Sequence, residues 1–231
     1  MKEVNRELFD IDTSIVYVIG LSEVLYNFQL LFDLKNCFEE KGYKAALFTD
    51  TLTKDEMDDV YSLHEYLDPE ISSEKLVIAN RYMKEIEITH NYDLFLVGIE
   101  KGTVSFGREI LEDMGLTVYS ISRILHPDCV VLQIFWGDYE KEDIKKIEQE
   151  TEQILGEEID FINIRNKAVD LNESLKKNEI ISFEIEKKLV DSTMRGLKNE
   201  CIFALDSQNE IERLTEAIIT RLQNYVEIER V

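Results

Sequence analysis

The chain has 231 residues, 44% of them hydrophobic, enough to bury the core of one large domain or two small ones. Its formal charge of −22 argues against nonspecific attraction to DNA, RNA or an anionic membrane, because such partners repel the average surface. Only two prolines and nine glycines are present, which leaves no flexible linker, so one domain over residues 1–231 is expected.

No apolar run approaches a membrane span, and MKEVNRELFDID is too charged for a signal peptide, which points to the cytoplasm. Residues 1–13 read as an irregular arm. Ser14 to Asp50 then reads as strand, turn, helix, strand. The apolar run Ile15 to Ile19 ends at Gly20. A helix follows, with Leu25, Phe28, Leu31, Phe32, Leu34 and Phe38 at helical spacing and Lys35, Asn36, Glu39 and Glu40 mostly outward. Gly42 closes it, and Ala45 to Phe48 makes a second strand.

From Thr51 the periodicity is weak until Ser72 or Ser73 caps a helix over Glu74 to His90. Tyr92 to Gly98 is expected as the third strand, Gly107 to Met114 as a short helix ended by Gly115, and Thr117 to Ser120 as a short strand or extended link. Cys129 to Phe135 is the fourth clear strand. Glu140 to Leu155 is a charged helix with a narrow stripe of Ile144, Ile147 and Ile154. Phe161 to Ile164 reads as a fifth strand and Cys201 to Leu205 as a later one, with helices around 170–177, 184–195 and 208–224. This alternation predicts an α/β domain with a mainly parallel sheet flanked by helices on both faces; residues 166–231 form a C-terminal strand and helix extension.

Strand, glycine turn and helix occur in the order in which a P-loop domain presents its phosphate cradle. The cradle's chemistry is missing. Glycines, a lysine and a hydroxyl are needed, and the turn reads Gly20-Leu21-Ser22-Glu23-Val24-Leu25-Tyr26-Asn27-Phe28-Gln29. The predicted fold is therefore P-loop NTPase-like but degenerate. Ser22 lacks an identifiable base and reads as a helix N-cap.

Ligands of such sheets bind at the C-terminal ends of the strands. Those ends carry Asp50, Glu100, Asp138 and Asp206, which can hold a metal, orient a water or bind a basic side chain, or can simply cap helices and face solvent. His64, His90 and His126 are scattered without zinc spacing. Cys37, Cys129 and Cys201 read as buried reduced thiols, and Cys129 near His126 as core rather than nucleophile. Trp136 and Tyr139 are candidates for a partner-binding anchor, with core packing as the competitor for Trp136.

The segment VIGLSEVLYNFQLLFDLKNCFEEKGYKAALFTD resembles the P-loop-like domain of the clostridial peptide-maturation-system proteins, found beside radical enzymes that modify ribosomally made peptides. NYDLFLVGIEKGTVSF and HPDCVVLQIFWGDYEKEDIKKIEQETEQI resemble that family's next strands, so the likeness covers roughly residues 14 to 165. Where the family carries a phosphate loop ending in Gly-Lys-Phe and a hydroxyl residue, this chain has Tyr26-Asn27-Phe28-Gln29. Only Gly20, Ser22 and Phe28 carry over. An N-terminal domain of the longer relatives is not seen, which suggests a stand-alone accessory subunit.

The resemblance and the altered turn imply a noncatalytic scaffold of a peptide-maturation system. Its expected partner is a radical maturase, a precursor peptide or another copy of the chain, and the acidic surface favours a basic segment. No metal and no cofactor are expected. The alternative is a nucleotide-binding protein or weak NTPase, using Ser22 and Asn27 at the helix start and Asp50 or Glu100 for Mg²⁺. A third reading is a small-molecule module in which Tyr26 fills the old phosphate site.

Overall fold

The computed structural model describes residues 7–51, 57–68 and 70–228. The first six residues of the expected arm and residues 52–56 of the loop after Thr51 lie outside the described residues. Residues 7–13 carry no helix or strand. They are tied down where the Phe9 N–H donates to Asn80 Oδ1 at 2.8 Å and Asn80 Nδ2 donates to Phe9 O at 3.0 Å.

In chain order the elements are β1 (Ser14–Gly20), a 3₁₀ turn (Glu23–Leu25), α1 (Phe28–Glu40), β2 (Ala45–Thr49), β3 (Val60–Ser62), α2 (His64–Leu67), α3 (Ser73–His90) and β4 (Leu94–Gly98). There follow α4 (Leu116–Ser122), β5 (Cys129–Ile134), α5 (Lys141–Leu155), β6 (Phe161–Ile164), β7 (Lys167–Val169) and α6 (Leu171–Lys177). The chain continues with β8 (Ser182–Glu184), α7 (Lys187–Leu197), β9 (Ile202–Phe203) and α8 (Gln208–Ile228).

Seven strands form one parallel sheet in the order β3-β2-β4-β1-β5-β6-β9. All residues of β2, β4, β5 and β6 are buried, which is why these strands read as unbroken apolar runs. The pleat sends Val16 and Val18 to the face covered by α1 and α8, and Ile15, Tyr17 and Ile19 to the face covered by α3, α4 and α5. The helix α1 lies so close that a Cβ on Gly98 would sit 2.2 Å from Leu31 Cδ1. Only a glycine allows that approach.

Several expectations need correction. The strand β3, missed in the weakly periodic stretch, makes Leu94–Gly98 the fourth strand in the chain and Phe161–Ile164 the sixth. It forms through main-chain pairing with β2, including the Leu47 N–H to Asp59 O at 2.8 Å, rather than by burying an apolar run. Gly107 to Met114 is a series of turns, not a helix, and Thr117 to Ser120 lies within helix α4. Gly115 starts that helix instead of ending one. It takes a φ of 75°, and the Asp113 carboxylate accepts the Thr117 N–H at 2.7 Å.

The start of α1 is also shifted: Leu25 belongs to the 3₁₀ turn, and the helix begins at Phe28. Lys35, expected outward, is buried with its ammonium on Glu39 at 2.5 Å. The antiparallel pair β7–β8, bracketing α6, was not foreseen. Among the described residues no helix is long and apolar enough to cross a membrane.

Candidate binding site at the strand ends

The turn after β1 is held on both sides by its sheet neighbours. Leu21 N–H donates to Gln133 O at 3.0 Å, Thr103 N–H to Gly20 O at 3.0 Å, and Val104 N–H to Leu21 O at 3.3 Å. Gly102 fits so closely that a Cβ there would lie 2.8 Å from Leu21 O and 2.9 Å from Ser22 Cα. Lys167 reaches across from β7 and donates to Val24 O at 2.8 Å. A lysine therefore does touch the turn, but it comes from a distant strand and grips a carbonyl.

Several main-chain donors of the turn are occupied. Ser22, fully buried, accepts the Val24 N–H and so caps the 3₁₀ turn rather than α1. The N-cap of α1 is Asn27, whose Oδ1 accepts from Gln29 N at 3.1 Å and Leu30 N at 3.4 Å. An amide there takes the helix-start N–H groups that a phosphate would otherwise meet.

Ser22 Oγ donates to Glu112 Oε1 at 2.7 Å, and Oε2 of the same carboxylate is buried without a partner. The site thus contains its own anion. Burial pushes the Glu112 carboxyl above its ordinary value, opposed by the Ser22 hydrogen bond. Sequence reading missed Glu112 because it falls among turns that carry no periodic signal; its φ of 42° shows a backbone bent to deliver it.

Tyr26 turns toward the end of β2, where its hydroxyl lies 2.6 Å from Thr49 Oγ1 and 3.4 Å from Thr51 Oγ1. Next to it the Asp50 carboxylate accepts the Glu100 N–H at 2.8 Å. Burial, then the Glu100 charge, raises Asp50 to about 6 against backbone hydrogen bonds that lower it. Asp50 and Glu100 are therefore brought together.

The other two carboxylates stand elsewhere. Asp138 is exposed beyond β5, and Asp206 pairs with Lys187 at 2.7 Å. Asp138 does not cap α5, which starts from Glu140 with Asp143 accepting the Glu140 N–H at 2.9 Å. Among the described residues no three His, Cys, Asp or Glu gather in metal-holding geometry.

Trp136 and Tyr139 are half-buried rather than projecting. The indole N–H donates to Thr193 Oγ1 at 3.1 Å, and the Tyr139 hydroxyl to Phe135 O at 3.0 Å. Both pack on the core, and burial raises the Tyr139 phenol to about 12. The large apolar side chains that do project include Leu171, Leu175, Phe183 and Leu189, on three consecutive elements α6, β8 and α7.

Cys37 and Cys129 are buried free thiols, and burial drives Cys129 well above its ordinary value. Cys201, expected buried, is exposed, since β9 begins only at Ile202. The histidines take structural positions: His64 Nδ1 sits 3.1 Å from Asp50 O, His126 Nδ1 3.3 Å from Glu157, and His90 packs against Tyr92.

No protein-family model and no curated protein matches the sequence. Solved structures do match in shape. The chain is similar to a DUF1611 family protein from Anabaena variabilis, at 12% identity with a TM-score of 0.58, over 90% of this chain and 58% of that one. It is similar to a plasmid partition protein from Borrelia burgdorferi at 10% identity, TM-score 0.54, covering 91% of this chain and all of the other. A plasmid partition protein from the same organism bound to AMPPNP aligns at 9% identity with a TM-score of 0.53, over 91% of this chain and all of that one. The fold is P-loop NTPase-like. The turn at Gly20–Gln29 follows β1 in that fold, and the N–H groups of Leu21, Val24, Gln29 and Leu30 within it are engaged.

Proposed function

We propose that this protein is a noncatalytic binding domain, an accessory or scaffold of a ribosomal-peptide maturation system in the cytoplasm. The observation that carries the noncatalytic half is the self-filled turn, in which Glu112 supplies the anion and Asn27 caps the helix. A nucleotide phosphate would have to displace a buried carboxylate while adding negative charge beside Glu23 and Glu112. The maturation role rests on the sequence resemblance over residues 14 to 165. The partner is a protein or peptide, a radical maturase or a basic precursor segment, with Leu171, Leu175, Phe183 and Leu189 as apolar contacts. A second copy of the chain is the other candidate partner.

Isothermal titration with MgATP and MgGTP tests the first half. No Mg²⁺-dependent binding tighter than about 100 μM is expected. Micromolar Mg²⁺-dependent binding would replace this reading with the second, a nucleotide-binding protein, favoured by fold likeness to a partition protein bound to AMPPNP. Titration of the purified precursor peptide and maturase from the same gene neighbourhood tests the other half. Binding to neither removes the maturation role.

A further inference from the structure

The ends of β6 and β9 and the start of α7 enclose a cavity of about 230 Å³, lined in part by Asn27, Asn163, Arg165, Lys187, Val190 and Leu205. Asn163 is fully buried. Its Oδ1 accepts the Leu205 N–H at 3.1 Å, which orients the amide and leaves Nδ2 as a donor with no partner. Such a group costs on the order of 1–3 kcal/mol when nothing accepts from it.

Arg165 has the same deficit in charged form. Its Nε is buried without a partner, and burial alone pulls the guanidinium below its ordinary value, with no carboxylate holding it up. Lys187 stands at the rim paired at 2.7 Å with Asp206, which also lines the cavity, so Arg165 is the lining cation without a carboxylate. Lys167, lowered by burial and then by the Arg165 charge, adds to the positive field. In a chain of formal charge −22, carboxylates to neutralise Arg165 are plentiful, yet none of the described ones does.

The unmet groups are donors, so the fitting ligand is an acceptor, and the guanidinium fork selects the paired oxygens of a carboxylate or phosphate. We propose that this cavity binds a small oxyanion, its carboxylate or phosphate oxygens accepting from the Arg165 guanidinium and the Asn163 Nδ2–H. A short organic body lies against Val190 and Leu205.

The test is isothermal titration of the whole chain without Mg²⁺ at low ionic strength, with acetate, N-acetylalanine and inorganic phosphate as probes. At least one is expected to bind with a Kd below about 1 mM. Binding of the carboxylates alone assigns a carboxylate ligand, and binding of phosphate alone a phosphate. Arg165→Gln should weaken the binding at least about tenfold and Arg165→Lys by less, because lysine keeps the charge but not the fork. Exposed Lys177→Gln should leave it unchanged.

Should Arg165→Gln fail to fold, Lys187→Glu on the exposed rim takes its place and should weaken binding by a similar factor through charge reversal. If no probe binds, or if binding is the same in wild type and the charge variants, the site is overturned and solvent alone satisfies Asn163. This inference does not rest on the noncatalytic reading. Mg²⁺-dependent nucleotide binding that survives Arg165→Gln would overturn that reading and leave this one intact.

Discussion

The turn after β1 and the ends of β6 and β9 lie on the same edge of one sheet, yet they differ in how their polar groups are met. At the turn, Leu21, Ser22 and Asn27 have internal partners, and the buried group left over is an acceptor, Glu112 Oε2. At β6 and β9, Asn163 Nδ2 and Arg165 Nε have none. Buried polar groups in folded proteins are nearly always paired, so a pair of donors left open beside a cavity is the better sign of a ligand than a familiar loop with several donors engaged. The contrast moves the expected ligand from the turn itself to the adjoining cavity, which Asn27 lines from the side of the turn.

Three substitutions break or sharpen that contrast. Gly102→Val should have the largest effect, a loss of about 3 kcal/mol or more in denaturant unfolding, because its side chain drives into the Leu21 and Ser22 backbone. A loss below about 1 kcal/mol would mean that the turn yields and is not held as described.

Asp50→Asn comes second and has the opposite sign. The folded value of about 6 lies above the ordinary 3.8, so the folded chain binds more protons between them. Stability is therefore lost as pH rises through that window, and the full cost of ionising Asp50 is felt above it. The asparagine, still able to accept the Glu100 N–H, should stabilise the protein by about 2 kcal/mol at pH 7.5. The gain should vanish below pH 4, and a gain independent of pH would rule out charge burial as its cause.

Asn27→Ala is the smallest change. Loss of the cap should cost about 1 kcal/mol in the same unfolding measurement. If the alanine variant instead gains micromolar affinity for MgATP, the amide alone was keeping the cradle shut.

Much of the fold was legible in the sequence because β2, β4, β5 and β6 are buried on both faces and have to be apolar throughout. The short strand β3 was not, since half-buried Val60, Tyr61 and Ser62 carry no run and owe their state to pairing with β2. In α4, β-branched Thr117 and Val118 pointed to a strand, and Gly115 with Asp113 decided for a helix. The absence of a lysine and a glycine at Asn27 and Tyr26 was plain. Glu112 was not, because it meets Ser22 across 90 residues of chain. Asn163 and Arg165 hid for a different reason: inside FINIR they look like a strand and its exit, and only the cavity shows that their donors are unmet.

The sheet ends in β3 at one margin and β9 at the other, strands of three and two residues. So few free main-chain groups make a poor template for a visiting strand. Lengthening of this sheet by a visiting strand is therefore disfavoured at both described margins.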